Sequence, residues 1–379
     1  MNQRSYLDYN ATAPLRAEVR EAVAAALSLF GNPSSVHAEG RAARATIEEA
    51  RIKVAALVGA RPEDVIFTSG GTEANALALA AQPGGAWHCY ISAVEHPSVL
   101  AGGRFYPETT RIAVTPDGVI DLEMLASELE KHHLGGWRPF VSLMAANNET
   151  GAIQPVAEAS KIVHSAGGLL HTDAVQAAGR IELDIASLGA DLLSLSAHKI
   201  GGPKGVGALV LGKGASVEPL IKGGGQERRR RAGTENVAGI VGFGVAAELA
   251  AADLAKIGEV AQLRSELEQG ALRIAPDAVV LSAKVERLSN TSCIAVPGVK
   301  AETLVIGLDL AGVAVSSGSA CSSGKVEASH VLSAMGVPEE VAQGAIRVSL
   351  GFATKRDDID NFLKAFAELK QRLRPRAAA

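Results

Sequence analysis

Lys199 closes the run Leu193-Ser-Leu-Ser-Ala-His-Lys199, and Asp173 sits in a second polar cluster, Thr172-Asp173-Ala-Val-Gln176. A lysine amine can form a Schiff base with a carbonyl compound, and a neighbouring aspartate can keep a pyridine nitrogen protonated, which turns the ring into an electron sink. A third segment, Ser69-Gly-Gly-Thr-Glu-Ala-Asn75, follows a predicted strand and leads into a helix. Its backbone N–H groups and helix dipole converge on one point suited to a phosphate. Each signal is ambiguous by itself. Gly-Gly before a helix is more often a plain tight turn, and the lysine of a P-loop is missing. Asp173 alone reads as a helix cap and Lys199 alone as a solvated side chain. Their combination with a phosphate turn is much harder to attribute to chance.

The other candidate nucleophile is a thiol. Cys89, Cys293 and Cys321 lie far apart, with no CxxC and no histidine at ligand spacing. Neither a disulfide framework nor a metal site is expected, and a reducing compartment fits. Cys89 and Cys293 sit in apolar strand-like runs and read as buried small hydrophobes. Cys321 ends Ser316-Ser-Gly-Ser-Ala-Cys321, whose composition predicts a mobile loop. An unperturbed thiol has a pKa near ~8.5, so a group in the site has to deprotonate it.

The elements that must position these groups are short β-rich runs, each followed by turn chemistry and a helical stretch: Asp64–Thr68, His88–Ser92, Phe140–Met144, Gly168–Thr172 and Leu192–Ser196. Such alternation predicts an α/β fold with a mostly parallel sheet, helices on both faces, and a site at the strand ends. A chain of 379 residues exceeds the usual growth of one core, so two domains are expected. The division is a large domain over residues 15–255 and a smaller α+β domain from 1–14 and 256–379. A long connecting helix is predicted from about Asn236 to Leu272. A second unit then opens with the strand-like Thr291–Val296 and closes with an amphipathic helix around Ile359–Leu373.

Hydrophobic residues at 47% and charged residues at 21% belong to an ordinary globular class, and a formal charge of -4 argues against a general polyanion binder. The arginine run Arg228–Arg231 lacks interleaved aromatics, so a nucleic-acid partner is not expected. The apolar run Val237–Ala247 is too short to cross a bilayer, and Met1–Pro14 lacks the apolar stretch of a secretory signal. A cytoplasmic location without membrane contact is the expectation.

Read together, the segments resemble a known family. Tyr6-Leu-Asp-Tyr-Asn-Ala-Thr12, Gly31-Asn-Pro-Ser-Ser35, Glu95-His96, Asn147-Asn-Glu-Thr-Gly151, Ser196-Ala-His-Lys199, Ser316-Ser-Gly-Ser-Ala-Cys321 and Arg347-Val-Ser-Leu-Gly351 are similar, nearly end to end, to the cysteine desulfurases. These belong to the fold-type I, class V aminotransferase group; the nearest branch supplies iron-sulfur cluster assembly. The resemblance implies pyridoxal 5′-phosphate carried by Lys199, with Asp173 on the pyridine nitrogen and His96 stacked on the ring. Gln176 and Asn148 would contact the ring hydroxyl or substrate. Gly71, Thr72, Ser196 and His198 would hold the phosphate, joined by Thr234 reaching across from the partner subunit of a homodimer. Arg347 would clamp the carboxylate of L-cysteine, a task suited to a planar bidentate cation. Lys199 would remove the Cα proton. Cys321, deprotonated by His96 or by the substrate amine, would take the substrate sulfur as a persulfide, releasing alanine, and pass it to an acceptor such as an iron-sulfur scaffold protein. A selenocysteine lyase or another class V enzyme is the alternative with the same cofactor apparatus. One departure stands out: in Gln226-Glu-Arg-Arg-Arg-Arg-Ala-Gly-Thr234, Arg229 occupies a position where relatives commonly carry glycine. If that position needs positive φ, arginine costs about 1 kcal/mol there.

Overall fold

Strand-helix alternation between residues 65 and 211 builds a seven-stranded sheet in the order Val65–Thr68, Gly207–Leu211, Leu192–Ser196, Leu169–Asp173, Arg138–Ser142, Trp87–Ser92, Thr109–Ile112. The computed structural model describes residues 4–80, 86–105, 108–133, 136–317 and 329–373. From Leu192–Ser196 outward to Thr109–Ile112 every neighbouring pair is parallel, while Gly207–Leu211 runs antiparallel to both its neighbours. Strands covered on both faces need no polar alternation, and Val65–Thr68, Leu192–Ser196 and Gly207–Leu211 are accordingly buried throughout. Their inward side chains join two clusters, one centred on Phe67, Val141, Leu143 and Leu195 and the other on Ile66, Ile91, Phe140 and Leu209.

The helix predicted over Asn236–Leu272 is two helices, Val237–Asp253 and Ile257–Ile274, joined by a 3-10 turn at Leu254–Lys256. Lys256 leaves helical dihedrals (φ -104°, ψ 7°), and the two helices serve different cores. The first is apolar nearly all round because it is sunk among Val19, Ile47, Ala50 and Val54. A side chain on Gly244 would meet the Ala50 Cα at 2.6 Å, so this close approach requires glycine. The second helix carries Leu267 and Ala271 into a core with Leu304, Ile346, Phe362 and Phe366. That core backs an antiparallel sheet ordered Ser316–Ser317, Ala345–Ser349, Thr291–Ala295, Val279–Val280.

The arginine run forms a turn of three consecutive left-handed residues, Glu227 (φ 45°), Arg228 (φ 54°) and Arg229 (φ 65°). Arg229 thus does stand where glycine would be unstrained. The turn is held by the buried Glu227 carboxylate, which takes Arg51 in a two-point grip at 2.7 and 2.9 Å and accepts the Phe67 N–H at 3.0 Å. Arg228 and Arg230 both donate to the Glu63 carbonyl, at 2.6 and 2.9 Å.

Candidate active site

The polar ends of Leu169–Asp173 and Leu192–Ser196 open onto a cavity of about 640 Å³ between the two sheets. Gly71, Thr72, His96, Asn148, Asp173, Gln176, Ser196, His198, Lys199 and Arg347 all line it. Nearly every candidate is therefore brought to one place, as expected of strand ends in an open α/β sheet. Two are not. Thr234 borders a separate cavity of about 150 Å³ beside Glu227 and Arg231. Cys321 lies outside the described residues.

Lys199 ends a 3-10 turn that directly continues its strand. Its Nζ donates to the Ala11 carbonyl at 3.0 Å and to that of Asn10. Burial, aided by the cations Arg347 and Arg180, lowers the amine to about 7, against a smaller opposing pull from Asp173 and Asp8. At neutral pH a large share of Lys199 is thus the uncharged, nucleophilic amine. Arg180 is itself lowered to about 9 by burial and by Arg347. It donates to the Gln176 carbonyl at 2.9 Å and to Gln176 Oε1, while Gln176 Nε2 donates to the Asn10 carbonyl at 3.0 Å. These bonds fix which way the Gln176 amide faces.

Asp173 Oδ2 accepts from Asn75 Nδ2 at 2.7 Å and Oδ1 accepts the Val175 N–H at 2.9 Å. A carboxylate has about four acceptor positions, so it keeps capacity for a further donor. Below it, His171 is fully buried between Ser142 Oγ at 2.8 Å and Ser194 Oγ at 2.9 Å. Burial drives His171 down to about 4, so it stays neutral and supports the strand ends without adding charge. His198 is lowered to about 4 by burial, then by Lys199 and Lys204. Glu149 goes the other way: burial raises its carboxyl to about 7 despite the Ser329 hydroxyl and Arg347.

Arg347 donates through Nη2 to Asp8 Oδ1 at 2.9 Å and through Nη1 to the Asn148 carbonyl at 3.0 Å. Its Nε is buried and has no partner among the described residues, a donor that a ligand carboxylate would satisfy. The phosphate turn is equally shaped for a ligand. A Cβ on Gly71 would come 2.9 Å from Val175 Cγ2 and 3.4 Å from Ser196 Cβ, filling the cradle at the start of the helix Gly71–Ala78, whose first amides have no intrahelical partner.

Asp8, Asn10, Asn75, Ser98, Glu149, Arg180 and His330 are functional neighbours that sequence reasoning did not single out. Asp8, Asn10, Asn75 and Glu149 lie inside quoted motifs. Their roles depend on partners far away in the chain, or on a carbonyl rather than a side chain.

The aminotransferase class-V family model matches residues 5–362. A cysteine desulfurase, IscS, of Dictyoglomus turgidum is 44% identical over 99% of this chain and 96% of its own. A cysteine desulfurase of Cereibacter sphaeroides is 46% identical over 98% of this chain and 97% of its own. Among solved structures, a NifS-like protein from Rickettsia africae superposes with a TM-score of 0.89 at 37% identity, covering 97% of this chain and 100% of that one.

Proposed function

Because this chain belongs to the class-V aminotransferases and is a cysteine desulfurase, we propose that its cavity binds pyridoxal 5′-phosphate on Lys199 and takes sulfur from L-cysteine. The observation that carries this reading is the convergence on one cavity of a lysine lowered to about 7, a carboxylate with spare acceptor capacity and a glycine cradle at a helix start. These residues fit the group. Asp173 would hold the pyridine nitrogen, His96 would face the ring and Gln176 with Asn148 would meet its hydroxyl. Gly71, Thr72, Ser196 and His198 would hold the phosphate. When bound, the cofactor supplies an electron sink for the substrate carbon next to the amine.

The chain's own residues do the rest. Arg347, pre-set by Asp8 and Asn148, orients the substrate carboxylate through its unused Nε. Lys199, once freed, is an uncharged amine that can take the Cα proton. The Cys321 thiolate attacks the substrate sulfur: an S–S bond forms as the C–S bond breaks, the electron pair stays with the carbon fragment, and protonation yields alanine. The persulfide then passes to an acceptor such as an iron-sulfur scaffold protein.

A homodimer belongs to this reading, with Thr234 of the partner subunit completing the phosphate site. The exposed apolar residues Leu27 (73%), Phe30 (87%) and Val36 (85%) support it, since an apolar surface group of this kind suits burial against a second copy. The division into domains 15–255 and 1–14 with 256–379 is part of the same proposal and is supported by the separate cores around Phe67 and Phe366. So is a cytoplasmic location.

The test is to load the purified protein with pyridoxal 5′-phosphate and measure alanine released from L-cysteine. Visible absorbance from a lysine-bound cofactor, alanine formation, and loss of both in Lys199→Ala are expected. A protein that takes up no cofactor, or makes no alanine, would overturn the reading.

A further inference from the structure

Three histidines line the cavity, and in two of them, His96 and His330, backbone groups commit opposite ends. His96 Nδ1 accepts the Ser98 N–H at 3.2 Å. A backbone N–H can only donate, so that lone pair is taken and the neutral ring carries its proton on Nε2. Ser98 Oγ, 2.7 Å from the same nitrogen, receives an Asn75 Nδ2 proton at 2.9 Å, so its own proton is free to share that lone pair with the backbone N–H. The Asn75 amide cannot be reversed, because its Nδ2 also donates to Asp173 Oδ2 and an ionised carboxylate only accepts.

His330 is committed at the other end. Its Nε2 lies 2.9 Å from the Glu95 carbonyl, which can only accept. The proton is therefore on Nε2 and the lone pair on Nδ1, with no donor to Nδ1 among the described residues. Both rings hold one tautomer, yet His96 is left with an N–H to give and His330 with a lone pair to receive.

We propose that these histidines divide the proton traffic of the site. His330 Nδ1 takes the proton that the ammonium group of L-cysteine must shed before its nitrogen becomes a nucleophile. His96 acts as a donor through Nε2–H, held in that state by the positioning residues Ser98 and Asn75. The inference rests on the desulfurase reading and deepens it. In the step, an ammonium N–H bond breaks, its electron pair stays on the substrate nitrogen, and an Nδ1–H bond forms. The positive charge passes to the imidazole, and the proton leaves to water. The titratable groups sharing the cavity with His330 are His96, Glu149, Asp173, His198, Lys199 and Arg347.

Long-range ¹H–¹⁵N spectra of histidine-labelled holoenzyme test the assignment without turnover, with signals identified by their loss in His96→Gln and His330→Gln. Protonation of both rings on Nε2 is expected, with Nδ1 hydrogen-bonded in His96 and free in His330. Ser98→Ala removes the hydroxyl but keeps the backbone N–H, so the His96 Nδ1 signal should shift part of the way toward that of a free acceptor with the proton still on Nε2, and Ser98→Thr should restore it. His330→Gln keeps an N–H for the Glu95 carbonyl but no basic nitrogen. Its kcat/KM should fall about 10²–10⁴-fold at pH 7. The deficit should shrink as rising pH deprotonates the ammonium unaided. A proton on His330 Nδ1, a proton on His96 Nδ1, or a deficit that is equal at every pH would each overturn the division of roles. Failure of the unmutated enzyme to make alanine would instead overturn the desulfurase reading beneath it.

Discussion

Asp8 and Arg347, 339 residues apart in the chain, meet at 2.9 Å, and the same carboxylate accepts the Ser316 hydroxyl at 2.8 Å. Ser316 and Arg347 are themselves opposed across neighbouring antiparallel strands. One acid thus joins the guanidinium proposed to hold the substrate to the strand that precedes the Cys321 segment. Asp8→Ala removes the ion pair but leaves the Asn148 carbonyl as an anchor. The KM for L-cysteine should rise about tenfold, a loss of ~1.4 kcal/mol, with cofactor content unchanged. Steady-state kinetics and the visible spectrum check both parts.

The lowered Lys199 amine gives a pH prediction. The reactive form is the neutral one, so attachment of pyridoxal 5′-phosphate to the apoprotein should rise with pH through about 7 rather than near 10. Arg180 helps depress the amine. Arg180→Met should therefore move the midpoint to higher pH, as read from absorbance after mixing.

Glu149 links pH to stability. Its folded-state pKa of about 7 lies above the unfolded value near ~4.3, so between these limits the folded chain binds more protons than the unfolded one. Its contribution is fully present below pH ~4.3 and is lost as pH rises through about 7. Glu149→Gln should remove this loss and be more stable than the parent above pH 8, by on the order of 2 kcal/mol. Urea unfolding of both proteins at pH 5 and pH 8 measures the difference.

The left-handed turn separates strain from support. Arg229→Gly should stabilise by about 1 kcal/mol, because glycine adopts φ 65° without a Cβ penalty. Glu227→Gln breaks the bidentate pair and leaves Arg51 with Glu48 alone, at 3.2 Å, and should cost roughly 3 kcal/mol. Denaturation midpoints at constant slope test the pair, and the two changes should have opposite signs.

Cys89 and Cys293 are both fully buried, and burial raises Cys293 to about 12 and Cys89 higher still. Native-state alkylation with iodoacetamide should spare both and modify Cys321. Cys321→Ala should abolish alanine formation while Cys89→Ala retains it, as measured by amino-acid analysis.

Much of this molecule is written locally. The strands Val65–Thr68, Leu192–Ser196 and Thr291–Ala295 fall within a residue of where β-rich composition predicts them, because a fully covered strand needs only a short apolar run. Lys199, Asp173 and Gly71 were legible for the same reason: each sits at the end of such a run, and a parallel sheet gathers those ends on one edge. The helical span Asn236–Leu272 was legible as helix but not as two, since the break at Lys256 reflects which core each half packs against.

Tertiary structure alone decided how the site is electrically set. Residue type makes Lys199 a possible nucleophile, but burial near Arg347 and Arg180 makes it an uncharged one. Residue type makes His96 and His330 possible acids or bases. An N–H on one ring and a carbonyl on the other decide which end of each is free. The N–H that fixes His96 is local, two residues away, but the carbonyl that fixes His330 and the cations around Lys199 come from distant segments with no periodic signature along the chain.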